Sequence, residues 1–216
     1  MVSQADQRKK YSTAYLAQSF LWFYCPSVYM HRSRISEKLP YKLFCNLLGN
    51  GSLARRNHFR LSRAFSNTSP ESIDVAADIW SFVTMSNYHL DYVIRIVAAL
   101  EVGMRIRTTI SGAQIKHLRK VFGEDVVNFV FRRHAGFYKG GSGWQNVDFE
   151  EINERLASKL GWAFLHLAGS TLPPNMLGVW TMRLPTSVDI KQVDSNPTPE
   201  EAFKLCVAIF KEVSNL

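Results

Sequence analysis

Apolar positions recur at helical spacing most densely between Tyr88 and His134. Val93, Ile96, Val97, Leu100 and Met104 make one stripe. Ile94, Ala98, Ala99, Val102 and Ile106 fill most of the remaining circumference. A helix that is apolar nearly all round is buried on several sides. The pattern therefore predicts a central core helix from Asp91 to about Thr109. Asp91, Arg95, Glu101 and Arg105 leave only a narrow polar seam, with Glu101 and Arg105 at a favourable i,i+4 spacing. Ser111 to Gln114 fits a capping box, and Ile110 with Ile115 a hydrophobic staple, opening a short helix at Gly112. Gly123 is expected to end it. A third helix opens on Glu124 and Asp125 and closes on Arg132, Arg133 and His134, complementing its dipole at both ends.

Elsewhere the periodicity is helical with one exception. Tyr11 to Tyr24, Pro40 to Leu48 and Leu53 to Phe65 read as helices. So does the stretch from Ser69, through Trp80, to about Met85. In the second of these, Leu43, Phe44, Leu47 and Leu48 form the apolar side. Asp148 with Glu151 marks another helix start. Its second half, Gly161 to Leu167 with Trp162 among its apolar residues, is expected to be buried. Met176 to Leu184 alternates imperfectly and reads as an extended segment near 176–190, ended as a strand by Pro185. Thr198-Pro199-Glu200-Glu201 gives a second capping box for the last helix. The expected fold is mostly α: a single-domain multi-helix bundle, residues 11–216, around the central apolar helix. Residues 1–10 are expected to be a disordered tail, and the Gly-rich stretch 136–147 a mobile loop. The structural core is expected to include Val93, Ile96, Val97, Leu100, Met104, Trp80 and Trp162.

A hydrophobic content of 46% is enough for a core over 216 residues. The net charge of +8 adds an expectation of an acidic partner. The most basic helix carries Arg55, Arg56, Arg60 and Arg63. A solvated face is the first reading of such a charge run; if the protein has an acidic partner, these arginines, with Arg32 and Arg34 before them, are the candidate partner-binding residues. Three dispersed cysteines, Cys25, Cys45 and Cys206, imply no disulfide framework and favour a reducing compartment. No stretch reaches the roughly 18 apolar residues of a membrane span, and the expectation is a soluble cytoplasmic protein.

Candidate chemistry is sparse. The six histidines form no H-E-x-x-H and no Cys/His finger. Cys25 and His31 lack further ligands nearby, so no metal is expected. Gly140-Gly141-Ser142-Gly143 lacks the lysine and the preceding strand of a phosphate loop. The acidic pairs sit in first helical turns, where the dipole accounts for them. No catalytic residue, cofactor or small-molecule substrate is expected. A helix-turn-helix reading of Met104 to Arg133 would place Gln114, Lys116, His117, Arg119 and Lys120 on the reading helix. The long apolar helix before it and the apolar one after it make this nucleic-acid reading the alternative.

The stretch Trp22-Phe23-Tyr24-Cys25-Pro26-Ser27-Val28-Tyr29-Met30-His31 resembles the F-x-F-C-P-x-x-Y-x-H segment of the SctK family. Those are accessory proteins of bacterial type III secretion, known as YscK or PscK in animal pathogens. Ile110-Ser111-Gly112, Leu160-Gly161-Trp162-Ala163-Phe164, Pro173-Pro174 and Trp180 to Leu184-Pro185 are similar in order and spacing. The likeness covers roughly residues 20 to 185, and the basic helix Arg55 to Arg63 has no counterpart in it. The resemblance implies a helical, non-enzymatic adaptor in the sorting platform beneath the injectisome. Such a protein would link the pod protein SctQ to the cytoplasmic domain of the inner-membrane ring protein SctD. It would meet the membrane only peripherally, through that ring. No catalytic or contact residue is implied.

Overall fold

The structure is a computed structural model that describes residues 22, 28–49, 56–58, 60, 76–137, 148–186 and 197–214. The described residues are mostly α-helical. They group into two compact units, the first holding the described residues up to Thr84 with Pro173–Thr186, the second Met85–Leu172 with the described residues after Ser187. The tail 1–10, the segment Tyr11 to Phe20, most of the Gly-rich loop and residues 187–190 lie outside the described residues.

In the first unit, α1 is Arg32–Lys38, α2 Tyr41–Gly49 and α3 Ala77–Val83. The segment expected to be extended is instead a helix, α9, Pro174–Arg183. Pro174 stands in its first turn, where a missing N–H costs nothing. Met176, Val179, Trp180 and Arg183 are buried at the spacing i, i+3, i+4, i+7, and Met182 is buried beside them. That face includes an arginine, so apolar residues alone did not display the helical period. Phe82 packs on Trp180 with ring centroids 4.4 Å apart. A smaller apolar cluster joins Met30, Ile35, Phe44 and Met182. Three polar ties fasten the α1 segment to the end of α9. His31 N–H donates to Met182 O at 2.9 Å, Arg34 Nε to Leu184 O at 2.9 Å, and Thr186 N–H to Ser33 Oγ at 3.2 Å.

In the second unit the apolar stretch splits into two helices. Ser86 caps α4, Asn87–Glu101, by accepting from His89 N–H, so the helix begins four residues before Asp91. It stops at Val102, and Gly103 opens α5, Gly103–Thr108. Val93, Ile96, Val97 and Leu100 are fully buried. Each such side chain contributes about 1.5–3 kcal/mol relative to exposure. Around α4 lie α7, Glu124–Phe137, α8, Glu154–Gly169, and α10, Pro199–Val213. Gly161 lets α8 approach closely: a Cβ there would stand 2.5 Å from Ile94 O and 2.5 Å from Ile94 Cγ2.

The boundaries of α6, Gly112–Phe122, follow the sequence, but its first turn does not. Ser111 is the N-cap without a side-chain hydrogen bond, so no capping box forms. Ile110 is 94% exposed and staples nothing. Gly123 ends α6 at φ 99°, a region that disfavours side chains, and its N–H donates to Arg119 O. Asp148 precedes only a 3-10 turn, Phe149–Glu151. It is Asn153 that caps α8, accepting from Leu156 N–H at 3.0 Å. Thr198 and Glu201 do form a reciprocal capping box on α10.

Candidate partner-binding surface

The local fold assigns the candidate arginines different tasks. Arg32 is exposed at the start of α1, with its guanidinium 4.5 Å from the centre of the Tyr41 ring. That cation–π contact fixes a side chain that would otherwise be mobile. Arg34 is partly buried and spends its Nε on Leu184 O, so it holds the fold. Arg56 and Arg60 are helical and exposed, one turn apart on the same side. Between them Asn57 Nδ2 donates to Leu47 O at 2.7 Å, fastening this turn to the end of α2. Arg55 and Arg63 lie outside the described residues.

The outer side of α2 was not legible as a surface. Phe44 is its only buried residue. Leu43, expected on the inner side, is 46% exposed, and Tyr41 is 38% exposed. Lys42 stands exposed between them. Tyr41 and Phe44 stack with centroids 6.3 Å apart, at i,i+3 on the helix. The missed signal was the pairing of an exposed aromatic at the helix start with Arg32 across the Pro40 turn.

The charge is distributed as unevenly as the apolar exposure. Residues 1–70 hold 11 lysines and arginines against only Asp6 and Glu37. The remaining residues hold 15 against 16 carboxylates, so the positive excess of the chain resides in its first third.

Several other titratable groups serve the fold. His31 caps α1, its Nδ1 accepting from Ser33 N–H at 3.2 Å. Burial, and then the nearby charge of Arg34, hold its pKa below the usual histidine value. His58 is lowered by burial. His117 points inward, its Nε2 donating to Ile152 O at 2.7 Å. Among the described residues, no three His, Cys, Asp or Glu come together as a metal site. Cys206 is buried, which pushes its thiol well above the usual range, whereas Cys45 is exposed. The side chain of Cys25 lies outside the described residues.

The core candidates also separate. Trp80 is buried, Trp162 is only partly so, and the side chain of Met104 lies outside the described residues. On α6, Lys116, Arg119 and Lys120 are exposed, as a reading helix requires. However, Arg119 lies 3.6 Å from Glu124, and His117 and Leu118 face inward. No described helix is long and apolar enough to cross a membrane. A family described as YOP proteins translocation protein K (YscK) matches residues 16–215, nearly the whole chain. No curated protein and no solved structure matches it.

Proposed function

We propose that this chain, which belongs to the YscK family of type III secretion proteins, is a non-enzymatic adaptor of the injectisome sorting platform. In this role it links the SctQ-type pod protein to the cytoplasmic domain of the SctD-type ring protein. It resides in the cytoplasm, held at the inner face of the bacterial inner membrane through the ring. Family membership over residues 16–215 is the observation that carries this reading. The architecture is in keeping with it. An adaptor transmits position between two partners, which calls for a packed interior and exposed docking faces, not for a catalytic cleft. The residues from Leu90 to Leu100 supply such an interior. The exposed Arg32, Arg56 and Arg60 of the first unit are the candidates for one such face.

Affinity purification of the tagged full-length chain from its native bacterium tests the proposal. Recovery of both the pod and the ring protein is the expected result. Recovery of neither, or of chromatin in their place, would overturn it.

A further inference from the structure

We propose that the outer side of α2, together with Arg32 and the Arg56–Arg60 turn, docks an acidic segment of a partner protein that also carries leucine-like side chains. The first argument is charge. No carboxylate occurs from Lys38 to Pro70, so Arg56 and Arg60 have no counterion within ten residues of sequence, and Glu37 is the one carboxylate near Arg32 and Lys42. Arg56 and Arg60 stand at i,i+4, where like charges destabilise a helix unless an anion lies beside them. The second is order. Arg32 is already held against Tyr41, and a guanidinium fixed in advance loses less freedom when it takes a carboxylate with two parallel hydrogen bonds. The third is the apolar component. Leu43 and Tyr41 remain exposed on either side of Lys42, with Arg32 against Tyr41. A phosphate backbone would use the charges and leave Leu43 in water. A bilayer would find only two apolar side chains on a nine-residue helix whose Phe44 faces inward. An acidic peptide with interspersed apolar side chains uses both, its carboxylates on Lys42 and the arginines and its apolar side chains against Tyr41 and Leu43 on the two flanks.

The chemistry of this face stands independently of the adaptor reading; only the identity of the partner rests on it. If the adaptor reading holds, this face makes a charge-dependent contact, because the positive excess of the chain lies in its first third.

The test uses the full-length chain and a fluorescein-labelled peptide in which glutamate alternates with leucine, followed by anisotropy. Binding is expected to weaken as ionic strength rises past about 0.1 M, where screening shortens to about 10 Å. Lys42→Glu, Arg56→Glu and Arg60→Glu together should reduce affinity about tenfold or more. Leu43→Ser should reduce it several-fold while leaving the salt dependence unchanged. The milder set Lys42→Gln, Arg56→Gln and Arg60→Gln, with helicity checked by circular dichroism, should move affinity in the same direction. Unchanged peptide binding by either folded triple variant would overturn the proposal. So would capture of the chain by phosphatidylglycerol vesicles or duplex DNA at lower concentration than by the peptide. Peptide binding without recovery of pod and ring from cells would count against the adaptor reading alone.

Discussion

Arg183 Nη1 donates to the main-chain oxygen of Val83 at 2.5 Å, joining the ends of α9 and α3 across 100 residues of sequence. The bond satisfies one of the four carbonyls that the end of α3 leaves without a helical partner. The guanidinium also lies 5.1 Å from the Tyr29 ring centre and 5.8 Å from that of Trp180. Burial lowers its pKa to about 10, so it remains protonated at neutral pH. Two effects compete in Arg183→Met. The substitution removes a buried charge, which is favourable, and strands a buried carbonyl, which costs about 1–3 kcal/mol. The aromatic faces and the hydrogen bond already compensate the charge, so net destabilisation is expected. Denaturant melts would show a lower midpoint for Arg183→Met; an equal or higher one would mean that desolvation dominates.

Gly161 and Gly112 should respond oppositely to alanine. At Gly161 a Cβ meets backbone, which cannot step aside, so Gly161→Ala must push α8 from α4 and cost about 1–3 kcal/mol. For a chain of this length each kcal/mol lowers Tm by about 2–4 °C. At Gly112 nothing lies within 4 Å, and alanine reduces unfolded-chain entropy. Thermal melts should rank Gly112→Ala at or above the parent and Gly161→Ala clearly below it.

Tyr92 couples the second unit to alkaline pH. Its pKa is raised to about 12, first by burial and then by its hydrogen bond to Asp125, while Arg95 opposes the shift. A phenol raised in the folded state stabilises it fully below the unfolded value near 10. That contribution disappears as pH climbs from about 10 to about 12. Spectrophotometric titration should therefore find Tyr92 ionising late, and Asp125→Asn should bring it earlier. A titration unaffected by Asp125→Asn would remove the hydrogen bond from the explanation.

Two threonine and serine caps offer a controlled comparison. Thr198 accepts from Glu201 N–H at 3.3 Å while Glu201 Oε2 accepts from Thr198 N–H at 2.8 Å. Thr198→Ala should cost about 1 kcal/mol. Ser111 makes no such bond, and Ser111→Ala should be nearly neutral. The Thr198 bonds hold the Glu201 carboxyl below its usual pKa. The stabilisation they give is present above the ordinary glutamate range and is lost as pH falls through the lowered value. Melts at neutral and acid pH should show the Thr198→Ala penalty shrinking on acidification; a penalty that stays constant would assign it to the Thr198 hydroxyl alone.

Local chemistry was legible where it needed no distant partner. The Thr198 box, the Gly123 stop and the burial of Val93 to Leu100 follow from spacing and residue type alone. The helix at Met176 to Arg183 was not legible, because one of its five buried positions is an arginine whose carbonyl partner comes from Val83. The division at Val102 was marked only by Gly103, a residue that many continuous helices tolerate. Ser111 shows the reverse error: the residue type for a cap is present, and the side chain does not make the bond. Within the candidate surface, Arg32 and Arg34 are two positions apart and look alike in sequence. They diverge because one meets an exposed ring and the other a carbonyl 150 residues away.

The pairing of α1 with the end of α9 also has a consequence for synthesis on the ribosome. The His31, Ser33 and Arg34 ties need Met182, Leu184 and Thr186, which are translated well over a hundred residues later. At about 5–20 residues per second, the nascent N-terminal segment waits on the order of ten seconds for its partners. During that interval Ile35 and Phe44 lack the Met182 they pack against. The second unit draws on the continuous stretch Met85–Leu172 and can begin to fold before the first is complete. A nascent chain released before Thr186 would present unfinished apolar surface around Ile35 and Phe44 to chaperones and proteases.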